Sequence, residues 1–189
     1  MLCGIFVGGK ASRMQGEPKG LLPSPESGEP LVVRLARLAR ELGLIPVLVG
    51  EAPSYRAALP ELRVIHDRPS GIGPLGGLAG LLRAGQPSFV LALSCDLPII
   101  SRPLLERLVN HPTRAHVLAA RSGDGLWEPL AARYDAAALY APVERMIASG
   151  TRSFQHLFAD LSVEEFKLAP AERGELIDWD TPEDVRDKR

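Results

Sequence analysis

The amino-acid sequence predicts a single α/β domain over residues 1–189, a three-layer sandwich on a mainly parallel, Rossmann-like sheet with an antiparallel excursion after residue 114. Three observations lead there. Short apolar runs rich in Val, Ile and Phe alternate with helix-period segments up to residue 111, the order that right-handed strand–helix–strand crossovers produce. Those runs show little polar alternation, so both faces of the sheet are expected to be covered. A chain of 189 residues that is 46% hydrophobic has the apolar material for one substantial core.

The strands are read in "LCGIFV" (2–7), "IPVLV" (45–49), "RVIH" (63–66) and "FVLALSC" (89–95). Between the first two, "PLVVRLARLARELG" sets Leu31, Leu35, Leu38 and Leu42 on one helical stripe. Gly43 suits the end of that helix, because it takes a left-handed conformation without steric cost. "GPLGGLAGLLRAG" (73–85) and "RPLLERLVNH" (102–111) are two further helices, the former weakened by its glycines. After residue 114, "AHVLAA", the turn "RSGDG" and "LWEPLAARY" read as a hairpin or an irregular antiparallel excursion. A helix over roughly 135–148 follows, then "SFQHLF", a strand-like "VEEFKLA" and a last short helix from Pro182 with Thr181 as its cap.

Charge narrows the function. With 22 basic against 23 acidic residues, the chain has no bulk attraction for nucleic acid or an anionic membrane, so any anion must be held by a local arrangement. Cys3 and Cys95 lie in apolar runs and read as buried thiols rather than a disulfide. The four histidines show no metal-ligand spacing with them, which argues against zinc. Lacking a signal-peptide pattern and an apolar run of spanning length, the protein is expected in the cytoplasm.

In an open parallel sheet, ligands sit beyond the carboxyl ends of the strands, and the unusual residues fall there. Gly8, Gly9 and Lys10 follow the first strand, Gly50 and Glu51 the second, Asp67 the third and Asp96 the fourth. The glycine pair lets backbone N–H groups approach an anion, and Lys10, Arg13 and Lys19 supply charge suited to a diphosphate or triphosphate. The loop lacks the spacing of a Walker A motif or of G-x-G-x-x-G.

Asp96 in "LSCDLP" directly follows an apolar strand, where an unpaired carboxylate is costly and a divalent cation relieves it. Magnesium takes one or two carboxylates plus phosphate oxygens, which this rim offers. Helix capping is the plainer role for that acid. Asp178 or Asp180 in "IDWDTP" supplies a second carboxylate if the last segment returns to the rim, and is structural otherwise. "HDRPSGIGPLGGLAG" sets Asp67 before a glycine-rich approach to a helix, where a base or ribose can lie against backbone. Trp127 and Glu128 fall where a second substrate would contact the sheet; a core tryptophan and a surface glutamate are the simpler reading.

"GGKASRMQGEPKGLL", "HDRPSGIGPLGGL" and "SCDLP" resemble the motifs of the molybdenum cofactor guanylyltransferases, the MobA type of the nucleotidyltransferase superfamily. "EPLAARY", "SFQHLF" and "DTPEDV" fall in that family's order, so the resemblance spans nearly the whole chain. It implies transfer of GMP from Mg-GTP to the terminal phosphate of molybdopterin, with release of pyrophosphate. It also implies Mg²⁺ as cofactor, and transient contact with proteins that deliver or accept the pterin. By position, Val7, Gly8, Gly9, Lys19, Asp67, Gly73, Pro74 and Asp96 would bind nucleotide, with Arg13, Lys19 and Asp96 catalytic and Asp96 on the metal.

The sequence departs from the family pattern at Gln15 (commonly Gly), Pro18 (commonly Asp), Gly50-Glu51 (where Asn is frequent), and Asp178 and Asp180 (usually N-x-N-T-P). A cytidylyltransferase acting on the same pterin is the nearest alternative, but "VGGK" and "SCD" favour guanylyl transfer. A sugar-phosphate nucleotidyltransferase and a non-catalytic nucleotide-binding regulator are the others; retention of Lys19 and Asp96 argues against the latter.

Overall fold

The structure, a computed structural model, describes residues 1–7 and 18–179. Seven strands form one sheet in the order β3-β2-β1-β4-β6-β5-β7. They are β1 (Leu2–Phe6), β2 (Ile45–Val49), β3 (Val64–Ile65), β4 (Phe89–Ser94), β5 (Val117–Arg121), β6 (Trp127–Asp135) and β7 (Val163–Glu165). The helices are α1 (Leu31–Glu41), α2 (Pro74–Gly85), α3 (Arg102–Asn110), α4 (Ala136–Ala148) and α5 (Phe154–Ala159). β1, β2, β3 and β4 pair in parallel; β6 runs antiparallel to both β4 and β5, and β7 is parallel to β5. Thus one reversed strand makes the excursion that the sequence predicts.

Both faces of the sheet are covered, which explains the unbroken apolar strands. Cys3, Ile5, Leu48, Leu91, Leu93 and Leu118 face a core closed by α1 and α3. Phe6, Val47, Val49, Val90, Ala92 and Tyr134 face the opposite core, closed by α2, α4 and α5. Within each strand the residues alternate between the two cores, as a period of two requires. The apolar stripe of α1 is buried as expected except for Leu42, which is half-buried, and Gly43 follows at φ 70°.

Three local features add to or depart from the sequence expectation. The third strand has only two residues, which leaves the outer edge of β2 open at Pro46, where a missing N–H is tolerated. The helix expected over 73–85 forms as α2, and its glycines have a use in packing: a Cβ on Gly80 would stand 2.5 Å from the His66 carbonyl oxygen. "SFQHLF" forms α5, capped by Ser153, whose hydroxyl accepts from Gln155 N at 3.2 Å. The helix expected from Pro182 lies outside the described residues.

Buried Arg133, on β6, donates to the carbonyls of Val109 and His111 and so satisfies the C-terminal end of α3. Asp135 caps α4 through Ala138 N at 3.0 Å. These three bonds fix the reversed strand against the helices around it, and with it the amino end of β6, which reaches the same rim as the carboxyl ends of β1 to β4.

Candidate active site

Four adjacent strands, in the order β3-β2-β1-β4, place their carboxyl ends side by side, so the rim that the sequence predicts is continuous. Val7, Asp67, Gly73, Pro74 and Asp96 are described on or beside it; Gly8, Gly9, Lys10, Arg13, Gln15 and Asp180 lie outside the described residues.

Asp96, two residues beyond β4, is 8% exposed. Its Oδ2 accepts from Lys19 Nζ at 3.1 Å, and its Oδ1 accepts from the Ser94 hydroxyl. A carboxylate this enclosed is costly without such partners. Lys19 opens a 3-10 turn, Lys19–Leu21, whose next residue, Gly20, presses on β4. A Cβ there would meet Tyr55 Cε1 at 2.8 Å and Cys95 Cβ at 3.1 Å. Only glycine allows that approach, and the approach delivers the lysine to the acid.

Cys3 and Cys95 are both free and buried, as expected, and burial pushes each thiol up to about 12. The Cys95 Sγ and Tyr55 Oη lie 4.0 Å apart. Both thiols are therefore inert fillers at neutral pH.

Asp67 sits beside the start of α2. Burial, and then the neighbouring Glu51, raise its carboxyl above the usual range, with His66 opposing. Gly73, at φ 74°, precedes Pro74 in the first turn of the helix. Arg68 N donates to Gly76 O at 2.8 Å, closing the Asp67 loop onto that turn.

The last segment returns to the rim, since Trp179 N donates to Asp96 O at 3.2 Å and the indole is buried. Asp178 therefore lines a cavity of about 150 Å³ with Ser94, Glu128 and the apolar Leu97, Leu130 and Leu176. The Glu128 carboxyl is raised by burial, then by Asp178 and Asp124. Glu128 is thus half-buried in a cavity wall, not a surface acid, while Trp127 is half-buried and packs against the core through Phe158, nearer the simpler reading. The reversal of β6 puts the acid there. The Gln155 amide brackets Trp127, accepting from its N–H at 3.2 Å and donating to its carbonyl at 3.0 Å. The Arg121 guanidinium lies 3.7 Å over the indole centroid.

Sequence reasoning missed Ser94, Gly20, Tyr55 and Gln155. A serine two residues before a strand-end acid was the one available signal; the others matter through contacts across 28 residues or more. Among the described residues no group of three or more His, Cys, Asp or Glu is gathered in metal-binding geometry. One enclosed carboxylate with Asp178 nearby still fits magnesium, which draws its remaining ligands from phosphate and water.

Residues 3–164 match the MobA-like NTP transferase domain. The chain belongs to that family. It is a nucleotidyltransferase. A molybdenum cofactor guanylyltransferase of Pseudomonas fluorescens is 35% identical over 95% of this chain and 88% of its own length. One from Pseudomonas putida is 30% identical over 97% and 94%. The solved structure of molybdopterin-guanine dinucleotide biosynthesis protein A from Archaeoglobus fulgidus superposes with a TM-score of 0.79 at 21% identity, covering 100% of this chain and 96% of that one. At that identity the likeness is one of fold. The reversed strand lies next to β4, so Glu128 and the strand-end acids share one rim.

Proposed function

We propose that this nucleotidyltransferase moves GMP from Mg-GTP to the terminal phosphate of molybdopterin, releasing pyrophosphate. The observation that carries the reading is the Lys19–Asp96 contact at 3.1 Å, a cation and an acid brought to the end of β4 from opposite sides. The names of the similar Pseudomonas enzymes support the choice of substrates.

The acceptor needs no general base, because a phosphate monoester is already ionised near neutrality with a second pKa of ~6. The difficulty is bringing two anions together and stabilising charge on the departing pyrophosphate. Magnesium, bound through Asp96 with Asp178 as the further candidate, would neutralise phosphate oxygens. Lys19 then exchanges the Asp96 carboxylate for a nucleotide phosphate, so that the ion pair in the structure is the resting arrangement of a residue that acts on substrate. Ser94 keeps the Asp96 carboxylate oriented during that exchange. Arg13 adds charge at the departing phosphates, and Val7, Gly8 and Gly9 hold the nucleotide.

Asp67, Gly73 and Pro74 take the nucleoside, with the Asp67 carboxylate accepting from a sugar hydroxyl or base N–H. The cavity between Glu128 and Asp178 takes the acceptor, whose ring N–H groups would satisfy the two carboxylates. Two free thiols suit a reducing compartment such as the cytoplasm.

The deciding experiment incubates the protein with magnesium, molybdopterin and each nucleoside triphosphate in turn, and measures pyrophosphate. Release with GTP alone supports the assignment; release with CTP alone moves it to cytidylyl transfer, and none with any nucleotide removes it.

A further inference from the structure

On the α1–α3 side of the domain lies a second cavity, of about 700 Å³, that the Lys19–Asp96 centre does not use. Residues 24–29 fold back over the first turn of α1 to make it, closed by Ser24 N donating to Glu29 O at 2.8 Å. Glu26, Arg34, Arg37 and Arg102 line it, with apolar walls that include Leu38 and Ile99.

Arg34 is the unusual member. It is 4% exposed, yet its Nε and Nη1 are buried without a hydrogen-bond partner. Only Nη2 is satisfied, donating to Glu26 Oε2 at 2.8 Å, and that carboxylate is 72% exposed. A guanidinium carries five donors, and leaving enclosed ones unmade costs free energy that ordinary packing does not return. Arg37 is taken up by Glu29 at 2.7 Å and Glu41 at 2.8 Å. Arg102 is exposed at the first position of α3, whose cap Ser101 accepts from Leu104 N at 3.3 Å and donates its own N–H to Glu175 Oε2 at 2.8 Å. With Arg37 so neutralised, Arg34 and Arg102 face the one lining acid, Glu26, near the first turns of two helices whose dipoles also favour negative charge.

We propose that this cleft is a second anion site, in which a small phosphate oxyanion enters against Arg34 and Arg102, with Glu26 holding the place until it does. Arginine suits the task because its planar fork meets phosphate oxygens in pairs. The acid on the turn is a built-in substitute: it offsets the buried charge while the cleft is vacant and can swing to solvent when a stronger anion arrives. Ile99 stands three residues after Asp96, so the anion would abut the loop that carries the catalytic acid. This inference does not depend on the choice of substrates above.

The test titrates inorganic phosphate and, separately, glycerol phosphate into the full chain without magnesium, at matched ionic strength, following arginine Nε–H resonances by NMR. The expected result is a saturable shift of the Arg34 resonance. Arg102→Ala should weaken binding about tenfold, the worth of one charge-assisted hydrogen bond. Glu26→Gln should tighten it, and Lys19→Ala should leave it unchanged. A response to the monoester alone assigns the site to an organic phosphate, and equal responses assign it to the free ion. Absence of an Arg34 shift with either anion overturns the proposal, as does a shift that Lys19→Ala abolishes while Arg102→Ala preserves it; the cleft is then a water-filled surface.

Discussion

Lys19 Nζ stands 3.1 Å from Asp96 Oδ2 across 77 residues of sequence. Neither residue belongs to a long element that could carry it there unaided. The lysine comes on a three-residue turn that Gly20 seats against Tyr55 and Cys95, and the acid on the loop that leaves β4. Cation and carboxylate pair with each other here, and in the proposed reaction a metal-bound triphosphate would offer each a partner of opposite charge. Asp96→Asn therefore should abolish nucleotidyl transfer while the protein still unfolds cooperatively within a few degrees of the parent, because Asn preserves volume and keeps the Ser94 bond. Pyrophosphate release and thermal unfolding measured on one preparation check both halves. Retained turnover would place the metal elsewhere.

Lys19→Ala should lower the rate by one to three orders of magnitude, the range seen when one preorganised stabiliser of transition-state charge is lost. The nucleotide should still bind, since backbone and metal contacts remain. Single-turnover kinetics separate the two effects. An unchanged rate would make Lys19 only the counter-ion of Asp96.

Gly20→Ala tests how the lysine is positioned. Its Cβ would press on the Tyr55 ring and on Cys95, so the turn must lift off β4. We expect a fall in turnover with a smaller change in nucleotide affinity, and partial rescue in the double variant Gly20→Ala/Tyr55→Leu, where the obstructing ring is gone. Loss of folding in both variants, rather than loss of rate, would give Gly20 a purely structural role.

The parallel part of the sheet was legible in the sequence because strands covered on both faces must be apolar throughout, and strand-end acids and glycines then fall on one rim by topology alone. Asp96 could be read that way, and so could Asp67. Ser94, Gly20 and Gln155 could not. Gln155 imitates a strand edge for Trp127 from 28 residues away, and nothing in "SFQHLF" announces it. Glu128 was misread for a related reason: an alternating run does not say which way its strand points. The antiparallel pairing of β6 with β4 turns what would be a solvent acid into part of a cavity wall. The packing use of Gly80 in α2 could not be read either, because it lies in the distant His66 carbonyl.

Gly80→Ala follows from that packing. The new Cβ would meet backbone rather than a flexible side chain, so α2 must shift from the loop that holds Asp67. The expected cost is about 1–3 kcal/mol, the range for overpacking a core. Urea denaturation measures it. A neutral result would mean that α2 slides freely along the sheet.

Guanine preference is checked by thermal shift. GTP with magnesium should raise the melting temperature more than CTP, ATP or UTP at equal concentration, since a ligand that binds the native state stabilises it in proportion to its affinity. Equal shifts for all four would limit the site to reading triphosphate and metal.

Asp67 carries the pH prediction. Burial and the nearby Glu51 raise its carboxyl above the ordinary value, so the folded state binds this proton more tightly than the unfolded chain does. Its contribution to stability is fully present below the unfolded carboxylate pKa of about 3.9 and is lost as pH rises through the raised folded value. At pH 7 the ionised side chain is therefore a net cost to the fold. Asp67→Asn should melt higher than the parent at pH 7, with the difference shrinking toward pH 4, while its affinity for nucleotide falls. Glu51→Gln should show the same sign to a smaller extent, because it removes only the repulsion and leaves the burial. Melting curves of the three proteins between pH 4 and pH 8, with and without nucleotide, measure both effects. An Asp67→Asn protein that melts lower at pH 7 would mean that the carboxylate is held by favourable contacts that outweigh its burial, and Asp67 would then be a structural acid.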